Sequence, residues 1–121
     1  MTNLDELHAR VTAAILDAKR LPFGSLEART AFRRVCDVEE QIAALASSAT
    51  LEGEIARLGA VQAALSADEP LRALQLAEQY AQEDLTGPTR AKLEESMRAA
   101  DAELAATEQP RVELIRFRIA A

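Results

Sequence analysis

A chain of 121 residues, 49% hydrophobic and 28% charged, has the size and balance of one folded domain and is too apolar for general disorder. Its 20 acidic and 14 basic residues give a formal charge of −6, which disfavours general binding to nucleic acid or to an anionic membrane. Aromatics are 3%, Trp is missing and alanine is the commonest residue, so long, closely packed helices with a thin core are expected, stabilised further by self-association.

Helical periodicity fills the chain up to Gln109. The first helix starts after Asn3, with Glu6 three residues on as in a capping box, and carries the stripe Leu4, Leu7, Val11 and Ile15 flanked by Ala14 and Ala18. Lys19 and Arg20 suit its C-terminal dipole, and Pro22 and Gly24 break the chain. Ser25 caps a second helix, with Ala28, Ala31, Val35, Val38, Ile42 and Leu45 as a coiled-coil-like seam. Ser47-Ser48-Ala49-Thr50 is rich in capping residues, and the apolar register slips there, so a break is expected rather than a bend.

The third helix carries Leu51, Ile55, Leu58 and Leu65, with Gly53 and Gly59 inside it. Each glycine weakens the helix by about 1 kcal/mol relative to Ala, which reads either as close approach of another backbone or, more simply, as tolerated drift. Ser66 or Asp68 caps the fourth helix. Leu71, Leu74, Ala81 and Leu85 lie on one side of it, and Leu76 and Tyr80 on the other, so it is either sandwiched or leaves an apolar patch for a partner. Thr86-Gly87-Pro88 turns the chain into a fifth helix with the stripe Leu93, Met97, Ala100 and Leu104, hairpinned against the fourth. Arg90, Glu94 and Arg98 have the spacing of charge pairs on its solvated side.

After Pro110 the period changes. From Leu114 onward, Ile115, Phe117 and Ile119 fall on one face of a strand, and Arg116 and Arg118 on the other. A single strand must find a pairing partner, from a second copy or another protein. The expected architecture is therefore all-α: residues 1–109 as an antiparallel helical bundle or set of hairpins with coiled-coil-like seams, and residues 110–121 as an extended assembly segment. The interaction residues are Leu76, Tyr80, Val112, Leu114, Ile115, Arg116, Phe117, Arg118 and Ile119.

Charge is unevenly spread. Residues 1–67 carry a net −2, residues 68–108 a net −6, and residues 109–121, with three Arg and one Glu, a net +2. The basic tail suits an acidic surface, including that of another copy.

Reactive chemistry is sparse. His8 is the single histidine and Cys36 the single cysteine, so no internal disulfide forms and no Cys or His pair offers a metal site. Cys36, beside Phe32 and Val35, reads as a half-buried core residue rather than a nucleophile. Glu39-Glu40, Glu83-Asp84 and Glu94-Glu95 are adjacent on helices and point apart, as on solvated faces. Arg33-Arg34 sits among Asp37, Glu39 and Glu40, as in a surface ion network. No phosphate-binding glycine loop is present. No cofactor is expected.

The sequence therefore points to a non-enzymatic interaction or scaffold module, at least dimeric or docked on a larger complex, with a protein or itself as partner and no direct nucleic-acid or membrane contact. Two other functions fit less of the chain. One is a small acidic inhibitor, of phage or mobile-element type, that blocks a basic nucleic-acid-binding surface. The other is a helical ligand-binding bundle. The lone cysteine and the lack of a signal or an apolar run near 18 residues fit a cytoplasmic protein, and the Arg-rich, Ala-rich composition suggests a bacterial, GC-rich source.

Overall fold

Most helix starts are fixed by a side chain that reaches an otherwise unpaired backbone N–H. In the computed structural model, which describes residues 3–120 and the side chains of residues 3–107, Asn3 Oδ1 accepts from the Glu6 amide at 2.8 Å, Ser25 Oγ from Ala28 at 3.1 Å and Thr50 Oγ1 from Gly53 at 3.0 Å. These caps open α1 (Leu4–Arg20), α2 (Leu26–Leu45) and α3 (Leu51–Ser66). Gly24, at φ +85°, takes the left-handed turn between α1 and α2. The break between Leu45 and Leu51 is present, as the capping residues there predict.

α4 (Pro70–Ala81) begins differently from expectation. Neither Ser66 nor Asp68 caps it. Its cap position is Glu69, which makes no side-chain capping bond, and Pro70 opens the first turn. Asp68 instead ends α3: it lies at φ 59°, its amide donates to Leu65 O at 3.1 Å, and the Glu69 amide donates to Ala64 O at 2.9 Å. That pair of bonds is the Schellman closure of a helix, with Asp in the place glycine usually fills.

α5 has the bounds Gly87–Ala120. They take in residues 110–120 of the segment expected to be extended. Residues from 108 onward lie outside those whose side chains are described, and with them lie that segment and its Val112, Leu114, Ile115, Arg116, Phe117, Arg118 and Ile119.

The helices pack in chain order as antiparallel neighbours, and α3 also touches α5. α2 is therefore covered on two sides, by α1 and by α3. Its expected seam supplies Ala28, Val35 and Ile42 to the core, while Cys36, Glu39 and Ala43 are buried as well. α3 departs furthest from its expected stripe. Leu51 and Ile55 are exposed and Leu58 and Leu65 half-buried, while Gly53, Glu54, Ala56, Arg57, Ala60, Val61, Ala63 and Ala64 form its buried side. A helix with three neighbours gains most from small residues, because they let the other backbones approach.

Gly53 shows how close that approach is. A Cβ there would lie 1.9 Å from the Ser47 carbonyl oxygen, which the Thr50 hydroxyl also holds at 2.7 Å. Gly59 makes room for a side chain instead: its Cβ would lie 2.8 Å from the Glu39 carboxyl carbon. Gly53→Ala should lower stability, because the clash with a fixed backbone outweighs the roughly 1 kcal/mol gain in helix propensity. A net loss on the order of 2 kcal/mol is expected, read as a lower urea midpoint at unchanged slope. A higher midpoint would mean that the α2–α3 turn relaxes freely.

Candidate functional site

Two concave regions flank the N-terminal half of α3, and their chemistry differs. The larger, an open cleft of about 640 Å³, includes Glu40, Ala43, Arg57, Tyr80 and Glu83 in its lining. Arg57 is only 4% exposed. Its Nε donates to Glu83 Oε2 at 2.5 Å, and one terminal nitrogen donates to Ala46 O at 3.1 Å and Gly53 O at 2.8 Å. The other donates to Ala43 O at 3.1 Å and Glu83 Oε1 at 3.3 Å. These bonds match the five N–H groups of a guanidinium. Its carbon lies 5.6 Å from the centre of the Tyr80 ring.

The carbonyls of Ala43 and Ala46 are acceptors at the C-terminal end of α2, and Glu83 lies in the α4–α5 turn. Arg57 thus caps one helix and ties it to a distant turn. Glu54, one turn earlier, accepts the Thr86 amide at 2.7 Å and the Thr86 hydroxyl at 3.2 Å. The Thr86 amide holds the Glu54 carboxyl below its ordinary range. Arg90 completes the knot by donating to Ala81 O at 2.5 Å and Glu83 O at 2.9 Å, so it closes α4 rather than pairing with Glu94. With Arg57 and Glu83 committed to one another and to helix ends, this cleft holds the fold together.

The second region, a groove of about 460 Å³, crosses α1, α2 and α3. Val11 and Ile15 of α1, Ile42 of α2, and Leu51, Ile55 and Ala56 of α3 make it apolar. Leu51 is 74% and Ile55 58% exposed. His8 pairs with Glu52 across it. Glu39 also lines it, 6% exposed and packed against Gly59. Burial pushes the Glu39 carboxyl up to about 7, against the pull of His8. The expectation that Glu39 lies on a solvated face is thereby corrected: its spacing from Val35 and Ile42 puts it on the covered side of α2.

Other expected site residues settle within the chain. Leu76 and Tyr80 are buried, so α4 is sandwiched and offers no patch there. Burial raises the Tyr80 phenol to about 12 and the Cys36 thiol to about 12, so both hold their protons near neutral pH. Cys36 is fully buried, more deeply than its sequence position implies, with Sγ 3.9 Å from Glu40 Oε2. Arg33 pairs with Glu69 at 3.0 Å, while Asp37, at 2.6 Å, and Glu40 pair with Arg72, so the ion network runs from α2 to the start of α4 rather than along α2. Among the described residues no cluster of three or more His, Cys, Asp or Glu is placed to hold a metal ion. Among them, no helix is long and apolar enough to cross a membrane.

By sequence, Arg57 and Glu54 go unremarked and Glu39 falls on a solvated face. The signal was a three-four spacing: 54, 57, 61 and 64 on α3, and 35, 39 and 42 on α2, place charged residues in register with buried apolar ones. The chain matches no protein-family model, no curated protein and no solved structure.

Arg57→Met should lower stability by about 3–5 kcal/mol, because it strands Glu83 and the α2 carbonyls while sparing volume; a midpoint within error of the parent would remove Arg57 from its central place. Glu39 gives a pH signature. It keeps its proton in the folded state up to about 7, against an ordinary value of 4.5. Its favourable contribution is complete below the ordinary value and is lost as pH rises through about 7. His8 and Glu52 are the other titratable groups in the groove. Glu39→Gln should therefore flatten the pH dependence of the denaturation midpoint and, at pH 8, raise stability on the order of 1–3 kcal/mol. An unchanged pH profile would place the carboxylate in water.

Proposed function

We propose that the chain is a non-enzymatic protein-interaction module, self-assembling or docking on a larger complex, with the α1–α3 groove as its contact face. The observation that carries this reading is the exposure of Leu51 and Ile55 beside half-buried Ile15, in a groove whose polar groups are confined to Glu39 and the His8–Glu52 pair. Burying a large aliphatic side chain contributes about 1.5–3 kcal/mol, so covering this strip is a substantial driving force. A small Ala-rich core gives the chain further reason to bury it.

The competing functions have less behind them. An acidic inhibitor would act through the carboxylates of 68–108, of which Asp68, Glu69 and Glu83 are paired with arginines of the same chain, and nothing in the fold points to a basic partner surface rather than to the groove. A ligand-binding bundle needs convergent polar groups with spare hydrogen-bonding capacity, and the Arg57 guanidinium, the central charged group of the larger cleft, is spent on the fold. A reduced, buried Cys36 accords with the cytoplasmic setting we assign.

Light scattering coupled to size exclusion at micromolar concentration should give at least a dimer for the full chain. Leu51→Asp and Ile55→Asp, both at exposed positions, should lower the assembled mass at unchanged helicity and denaturation midpoint. A monomeric parent would leave only docking on another protein, and assembly indifferent to both substitutions would move the contact face elsewhere.

A further inference from the structure

The chemistry of the groove's lining narrows the kind of occupant it can take. Its walls are aliphatic and its ionisable groups are Glu39, Glu52 and His8, with no Lys or Arg among the lining residues. Glu39 is more than nine-tenths buried as a residue and lines the groove, and its carboxylate oxygens are not among the fully buried unpartnered atoms, so they remain open to an occupant of the groove. A carboxyl in that position favours an occupant that brings both apolar side chains and a cation.

One stretch of the sequence supplies that combination. Residues 109–121 place Arg111, Arg116 and Arg118 among Val112, Leu114, Ile115, Phe117 and Ile119, with a net charge of +2 against −8 for the rest of the chain. The α1 side of the groove, from His8 to Ile15, is about 10 Å long at 1.5 Å per residue, well within the reach of a segment of this length.

We propose that the C-terminal segment 110–121 of a second copy docks in the α1–α2–α3 groove, its apolar side chains against Ile15, Leu51 and Ile55 and an arginine facing Glu39. This rests on the self-assembly reading and adds the place and the chemistry of the contact. Reciprocal exchange of the two segments closes the assembly as a symmetric dimer and buries both grooves. A guanidinium arriving at Glu39, whose carboxyl burial has pushed up to about 7, favours release of its proton and gains a charged partner shielded from water.

Complementation between full-length variants tests this. Ile55→Asp disables the groove and Phe117→Asp disables the segment, and each alone should weaken dimerisation about tenfold or more, since each sets a charge on an apolar contact. Mixing the two should restore a mixed dimer, because the intact groove of one meets the intact segment of the other. Glu39→Gln should weaken the parent dimer while the fold is retained by circular dichroism. Failure of the mixture to associate, or undiminished dimerisation of either single variant, overturns the groove–segment contact while leaving self-assembly standing. A parent chain that is monomeric throughout overturns both.

Discussion

The guanidinium of Arg57 sits where three parts of the fold would otherwise come apart. From the first half of α3 it reaches the open carbonyls that end α2 and the carboxylate of Glu83 in the α4–α5 turn. A buried arginine is tolerable only when its donors are matched, and here the partners equal the donors in number. Lysine would not substitute, since its three donors lack the planar fork that engages Glu83 through two nitrogens while capping a helix. Around this group Glu54 fixes Thr86 and Arg90 closes α4, so one end of the helix array is organised by polar contacts rather than by a large apolar core.

That arrangement explains why the aliphatic residues of α3 are left facing outward. Its inner side is Gly, Ala, Val, Glu and Arg, chosen for close approach and for the polar knot. Leu51 and Ile55 consequently fall on the flank that meets the α1–α2 hairpin only partially. The groove is thus a by-product of how α3 is gripped, and covering it from outside is what the proposed interaction function requires. The opposite end of the array is held by arginines on the surface, Arg29 to Asp68 at 3.3 Å and Arg33 to Glu69 at 3.0 Å, contacts that contribute less because solvent screens them.

Local chemistry made much of the fold legible in the sequence. Asn3, Ser25, the Pro22–Gly24 turn and the Ser47–Thr50 break all act where capping and turn rules put them, because those contacts lie within a few residues of chain. The side of α3 and α4 that turns inward was not legible. Counting large apolar residues picks out Leu51, Ile55 and Leu71, which are exposed, and passes over Ala56, Ala60, Ala73 and Ala77, which are buried. In an Ala-rich array the closest helix contacts belong to the smallest residues, so hydrophobicity misplaces the core. The groove escaped notice for the same reason: its lining comes from three helices, and only packing brings His8 to Glu52, forty-four residues apart.

Hydrogen–deuterium exchange on the full chain across a concentration series probes the central claim most directly, that the groove between α1 and α3 is the face this protein covers by association. With rising concentration, protection should increase in the α1 segment around Val11–Ile15 and the α3 segment around Leu51–Ala56, while the α4 segment around Ala73–Ala77, buried within the chain, stays unchanged. Protection that rises only elsewhere, or that does not respond to concentration while the chain is seen to assemble, would contradict it.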